Sequence, residues 1–234
     1  MLMLLAVLPA VVLLRMVWKM DTIETEPTDL LAKLFVGGGL SIISAVVLGM
    51  IGSGVILSWF IPGSLVYIFL DNFVCTALVE EGGKFFVLKK LTWNHPAFDY
   101  TFDAVVYAVT AALGFATLEN ILYVLEGGIS TAILRAILSV PGHAIDGIYM
   151  GSYYGLAKLC DGRGDRQGRG RHLRRALLVP TLMHGFYDFC LESESGLLLL
   201  GFLLFEIGIT ISAILRLKKL AREDQPIGAG DTPV

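Results

Sequence analysis

Four consecutive apolar stretches of this 234-residue chain each carry an acid or a histidine. Glu80, Glu81 and Lys84 lie in VEEGGKFF, Glu119 and Asn120 in GFATLENILY, His143 and Asp146 in PGHAIDG, and His184 and Asp188 in MHGFYDF. A charged side chain near the centre of a bilayer costs about 2.5 to 3.5 kcal/mol, so four such costs on four stretches ask for a common reason. Carboxylates and histidines together do general acid-base chemistry, hold a catalytic metal, or relay protons. With a water molecule between them they form the equipment of a hydrolase.

Helical spacing decides which of these residues can act together, because residues three or four apart share a face. Glu80 and Lys84 do so, with Glu81 beside them. Phe115, Glu119 and Tyr123 form a second line, and His184 with Asp188 a third. His143 aligns with Gly147, Gly151 and Gly155, a small-residue ridge that lets another helix approach closely and so turns the histidine into the bundle. Measured from the centre of each stretch, both histidines fall near mid-membrane, Glu80 roughly 5 Å to the cytoplasmic side and Glu119 roughly 9 Å to the outer side. One shared site is compatible with that spread.

Structural roles compete for some of these groups. Glu81 and Lys84 read as an ion pair that neutralises itself, and His184 with Asp188 as a local hydrogen bond. Arg135 and Asp71, at similar depth near the outer side, read as partners that offset each other. Asp99 and Asp103 open a helix, where capping and the helix dipole account for them. Asp146 and Glu206 have no evident partner. For Glu80, Glu119, His143 and His184 taken together, function is the better reading.

The elements that must position these residues are membrane helices. With 55% hydrophobic and only 17% charged residues, the chain is too apolar for an ordinary soluble domain. The expected fold is all-α, a polytopic bundle of about seven spans near 2–18, 31–52, 64–90, 101–125, 129–159, 173–192 and 196–218. The first reads as a retained anchor, since its basic residues Arg15 and Lys19 follow the apolar run, and Val55 to Ile61 as a surface or re-entrant piece. Arginines between 161 and 175 and the basic run after 215 place the N-terminus outside and the C-terminus in the cytoplasm. Residues 1–220 form one membrane domain and 221–234 a short disordered cytoplasmic tail. The RGD at Arg163 to Asp165 is then a chance match in a cytoplasmic loop. Lys and Arg (18) against Asp and Glu (21) leave no basic surface for nucleic acid, and Cys75, Cys160 and Cys190 form no metal or disulfide pattern.

Familiar intramembrane hydrolase motifs are missing from the spans. There is no HExxH; Gly52-Ser53-Gly54 lacks the first glycine of a GxSG site, and the GxGD at Gly228 to Asp231 lies in the polar tail. Four ordered motifs do stand out: EExxK at Glu80, Glu81 and Lys84, FxxxEN at Phe115, Glu119 and Asn120, the histidine in SVPGHAIDGIYMG, and HGxYD at His184 and Asp188. Over roughly residues 15 to 220, with Glu26-Pro27 before the second span, the chain resembles the PrsW family of intramembrane proteases. It is similar more distantly to the CAAX-prenyl endopeptidases and abortive-infection membrane proteins. Those carry an arginine one residue after the position of Lys84 and a histidine where Glu119 stands, a departure that favours the PrsW branch.

The resemblance implies an endopeptidase in a bacterial or archaeal plasma membrane that cuts membrane-anchored proteins, with anti-sigma factors as the type of substrate. Glu80 would act as general base to water, and Lys84 would hold the glutamate pair. His143 and His184 would orient water or protonate the leaving amine, Asn120 would donate to the oxyanion, and Asp188 would set the tautomer of His184. Glu119, His143 and His184 would suffice to bind a catalytic Zn2+, while the same residues would serve a metal-free glutamate mechanism. A proton- or ion-coupled transporter is the rival reading, although no inverted repeat supports it. In a third, a silent scaffold, the glycine ridge would be the partner surface.

Overall fold

A computed structural model describes residues 2–228. It is 83% helix and contains no strands. The helices are α1 (Leu2–Trp18), α2 (Thr28–Leu57), α3 (Leu65–Leu70), α4 (Leu78–Thr92), α5 (Asp103–Ile137), α6 (Ser139–Gly162), α7 (Arg166–Glu192) and α8 (Gly196–Arg222), with a π-helical segment, Asp71–Ala77, joining α3 to α4. Thr28–Leu57, Asp103–Gly162 and Gly196–Arg222 are long and apolar enough to cross a membrane. Their outward faces agree with that environment: Val36, Leu40, Ile43, Val47 and Met50 on α2 are exposed, as are Leu200, Leu204, Ile207, Ile211 and Leu215 on α8.

α5 is the central post. Every residue from Asp103 to Thr117 is buried, enclosed by α1, α2 and α6. Glycines allow that closeness. A Cβ at Gly38 of α2 would lie 2.0 Å from the Ala111 carbonyl oxygen, and on α6 one at Gly151 would lie 2.5 Å from the Val105 Cα. The ridge of Gly147, Gly151 and Gly155 therefore packs inward on α5, which removes it as an outer partner surface. α1 adds Ala10, Leu14 and Val17 to the same core, while Ala6 packs with Val124 and Ala132 near the Gly128 break, and the Trp18 indole donates to Thr110 Oγ1 at 3.1 Å.

Three boundaries differ from the sequence reading, each for a local reason. α2 runs on through Leu57, so Val55 to Leu57 are its last turn, and the chain turns at Ser58-Trp59 and again at Pro62-Gly63, where Gly63 takes a φ of 75°. α5 is broken at Gly128 (φ 70°, ψ −151°), a conformation open to glycine alone among common residues. The stretch 129–159 is thus two pieces, an arm over 129–137 and then α6. The last turns of the chain are docked: Asp224 Oδ1 accepts from the Phe102 amide at 2.8 Å and from Thr101 Oγ1 at 2.9 Å, and Thr101 N donates to Gln225 O at 3.1 Å. Of the expected disordered tail, residues 221–228 are therefore held against the α4–α5 loop; residues 229–234, including most of the GxGD string, lie outside the described residues.

Candidate active site

Four helices deliver the site. On α4, Glu80 and Glu81 stand one residue apart and so diverge by about 100°, Glu80 towards a cavity and Glu81 into the packed interior. Glu81 and Lys84 are fully buried and joined at 2.6 Å. Lys84 Nζ also reaches His143 Nδ1 of α6 at 3.1 Å, lies over the Phe115 ring of α5 at 4.3 Å and is 3.9 Å from Glu80 Oε2. An ammonium has only protons to offer, so it donates to Nδ1, and His143 carries its proton on Nε2, which donates to Glu119 Oε2 at 2.9 Å. His184 of α7 is oriented from the other side. Its Nδ1 donates to Glu81 Oε1 at 3.0 Å, leaving Nε2 near Asp188 Oδ2 at 3.2 Å and Glu80 Oε2 at 3.8 Å.

The arrangement has two layers with the imidazoles between them, their ring centroids 5.4 Å apart. The inner layer is the Glu81–Lys84 pair, which holds both Nδ1 atoms. The outer layer is carboxylate: Glu119 beside one Nε2, Glu80 and Asp188 beside the other. That outer layer lines a cavity of about 730 Å³, together with Asp146, Tyr187, Arg135 and Glu206. The π-helical segment contributes Asp71, Asn72 and Thr76 to the cavity wall; its wider turn recurs at functional sites in other proteins.

The structure thus joins Glu80, Glu81, Lys84, Glu119, His143, His184 and Asp188 into one constellation, and the estimated depth gap between Glu80 and Glu119 is closed by Lys84 and His143. Asn120 does not reach the cavity. Its amide donates to the Ala6 carbonyl at 2.7 Å, and its Oδ1 accepts from Arg135 Nε at 3.0 Å, so it fixes α1 and Arg135 and is not free to meet an oxyanion. Asp188 stands beside Nε2, on the cavity side, while Glu81 on Nδ1 orients the ring. Arg135 pairs with Glu119 at 2.5 Å, whereas Asp71 accepts from Ser53 Oγ at 2.5 Å, so the expected Arg135–Asp71 pair does not form. The glycines at 127 and 128 are the signal that would have found Arg135. A chain that reverses between them brings residues equidistant from the break together, and 120 and 135 are such a pair.

One oxygen or nitrogen from each of Glu81, His143, Asp146 and His184 lies within 4.8 Å of the others, a spacing that suits a cation. Lys84 Nζ already touches two of those four residues, so an ammonium serves that grouping. The expected zinc set of Glu119, His143 and His184 fails at His143, where Lys84 takes the Nδ1 lone pair and Nε2 is a donor. The groups left beside the cavity are the Glu80 carboxylate, the His184 Nε2 and the Asp188 carboxylate. Their chemistry suits a metal: a ring nitrogen whose partner nitrogen is held by a carboxylate is the usual form of a histidine ligand.

Residues 26–215 match the family model described as PrsW family intramembrane metalloprotease. The chain belongs to the PrsW family. It is 36% identical over 213 residues to Protease PrsW of Oceanobacillus iheyensis, covering 90% of this chain and 92% of that one. It is 35% identical over 190 residues to Protease PrsW of Geobacillus kaustophilus, covering 80% and 78%, and 40% identical over 128 residues to that of Bacillus subtilis, covering 55% and 57%. No solved structure matches the chain. As a PrsW family member it is an intramembrane protease, a peptide hydrolase, and the family's description makes a metal a plausible part of its chemistry.

Proposed function

We propose that this protease hydrolyses membrane-anchored proteins, of the anti-sigma-factor type, with a water activated by Glu80. The observation that carries the assignment is Glu80 itself: it lines the cavity, and its carboxylate makes no hydrogen bond among the described residues. Glu119 is committed to Arg135 and His143, and Glu81 to Lys84 and His184, so of the three motif glutamates Glu80 is the one left to take a proton from water. His184, with Nε2 turned to the same point and Asp188 alongside, is placed to protonate the leaving amine. Arg135, in the cavity wall with Nε and Nη2 on Asn120 and Glu119, keeps Nη1 as a donor for a developing oxyanion in place of Asn120.

A zinc ion would be held by Glu80, His184 and Asp188 and would supply a water of lowered pKa. The lysine-centred network favours the metal-free form, in which Lys84 fills the cationic role.

Seven spans are supported by the loop geometry, while the bacterial plasma membrane is suggested by the family and the outside N-terminus and cytoplasmic C-terminus by the basic residues. The α1–α2 loop, the α4–α5 loop, the α6–α7 turn and the C-terminal segment follow the first, third, fifth and seventh of the proposed spans. Side-chain oxygens of Glu24 and Asp99 approach within 4.8 Å, the C-terminal segment hydrogen-bonds the α4–α5 loop, and Gly162 abuts Gly228. All four connections therefore meet on one face.

The test is cleavage of a co-expressed panel of single-span membrane proteins, anti-sigma factors among them, by wild type, Glu80→Gln and His184→Ala at matched membrane levels, with metal content of the purified wild type measured in parallel. Cleavage lost in both variants without bound metal is the expected result. Wild-type rates in Glu80→Gln overturn the base assignment, and about one zinc per chain overturns the metal-free form.

A further inference from the structure

A second buried acidic group lies at the start of α5, roughly 24 Å along that helix from Glu119. Asp21 and Glu26 come from the α1–α2 loop and Asp103 opens α5; one carboxylate oxygen from each lies within 4.8 Å of the others. Asp103 is fully buried and Glu26 is 8% exposed. Of the three carboxylates two are anchored at one end: Asp103 Oδ2 accepts from the amides of Asp99 and Tyr100 at 3.1 and 2.7 Å, and Glu26 Oε2 accepts from the Tyr107 hydroxyl. All three leave an inaccessible oxygen with no partner: Asp21 Oδ2, Glu26 Oε1 and Asp103 Oδ1.

Among the described residues no lysine, arginine or histidine forms an ion pair with any of the three. Glu24 and Asp99, which also approach Asp103 within 4.8 Å, deepen the negative potential. Buried carboxylates persist when paired, protonated or bound to a metal. An all-oxygen set is what hard divalent cations select.

We propose that Asp21, Glu26 and Asp103 bind a hard divalent cation, Mg2+ or Ca2+, which ties the α1–α2 loop to the N-terminus of α5. This site is separate from the intramembrane constellation and takes no part in the peptide hydrolysis. Its role is to fix the end of the helix that carries Glu119.

The test uses the full-length protein in detergent, stripped of divalent ions, with calorimetric titration of Mg2+ and Ca2+ and the thermal midpoint read alongside. Saturable binding of one ion per chain, with a raised midpoint, is expected. Asp103→Asn keeps an oxygen for the Asp99 and Tyr100 amides, and Asp21→Asn alters the most accessible of the three; each should weaken binding about tenfold or more. Should Asp103→Asn fail to fold, Asp21→Asn alone carries the comparison. His184→Ala should bind the ion as wild type does, which separates this site from the cavity. Absence of saturable binding in wild type, with proton uptake at the acids instead, overturns the proposal. So does undiminished binding in Asp21→Asn, or loss of binding in His184→Ala.

Discussion

Replacing Glu81 by Gln, Lys84 by Met, and both together separates the scaffold of the site from its chemistry. Both side chains are fully buried, with Lys84 Nζ 2.6 Å from Glu81 Oε1 and 3.9 Å from Glu80 Oε2. At an effective dielectric of about 20 those separations correspond to Coulomb attractions of about 6 and about 4 kcal/mol before desolvation. Glu81→Gln removes the larger attraction together with the desolvation cost of one buried carboxylate, and Lys84 keeps Glu80 as a partner, so the expected cost stays below the about 3 to 5 kcal/mol of leaving a buried charge unpaired. Lys84→Met leaves Glu80 and Glu81 side by side with no cation, and should cost about 3 to 5 kcal/mol, as breaking a buried pair from one side does. The double variant removes both buried charges and should recover most of that loss.

The assay is the unfolding midpoint of purified protein in mixed detergent, at matched purity and pH, with substrate cleavage recorded on the same samples. Cleavage should be lost in all three variants, because Lys84 sets the tautomer of His143 and Glu81 orients His184. The double variant therefore combines near-native stability with no activity. A Lys84→Met protein as stable as wild type would refute the argument, as would a double variant no better than Lys84→Met. Full cleavage by Glu81→Gln would place Glu81 outside the machinery altogether.

Three further outcomes follow from single contacts. Gly128→Ala, at a φ of 70°, should strain the chain by about 1 to 3 kcal/mol and misplace Arg135; a drop in cleavage larger than the loss of midpoint, matched by Arg135→Gln, checks this. Gly151→Ala places a Cβ 2.5 Å from the Val105 Cα and should lower stability by about 1 to 3 kcal/mol, whereas Gly82→Ala, with open space around it, should be neutral or slightly stabilising by the same unfolding measurement. Asn120→Ala frees a buried Ala6 carbonyl and should cost about 1 to 3 kcal/mol, with cleavage falling beyond the folded fraction by no more than Arg135→Gln does, because Asn120 touches the site only through Arg135.

The residues that were legible in the sequence are those whose cost depends on burial alone. Charges and histidines inside apolar stretches announce themselves by type, and helical spacing identifies the face each one shares, so Glu80, Glu119, His143, His184 and Asp188 were readable together, as was the Glu81–Lys84 pair. Spacing does not say where a chain reverses. Depth alone pairs Arg135 with Asp71, yet the break at Gly128 folds its arm back so that the guanidinium meets Glu119 and Asn120 from 15 or 16 residues away. Asn120, one residue from Glu119, points about 100° away from it, into α1, which is why a motif that names both residues gives only one of them a place at the cavity. The division of labour between adjacent Glu80 and Glu81 has the same origin: one helical step turns the first towards the cavity and the second onto Lys84. The tautomers of the two histidines follow from that step and from no feature of the sequence taken alone, since only the packed arrangement puts an ammonium on one Nδ1 and a carboxylate on the other.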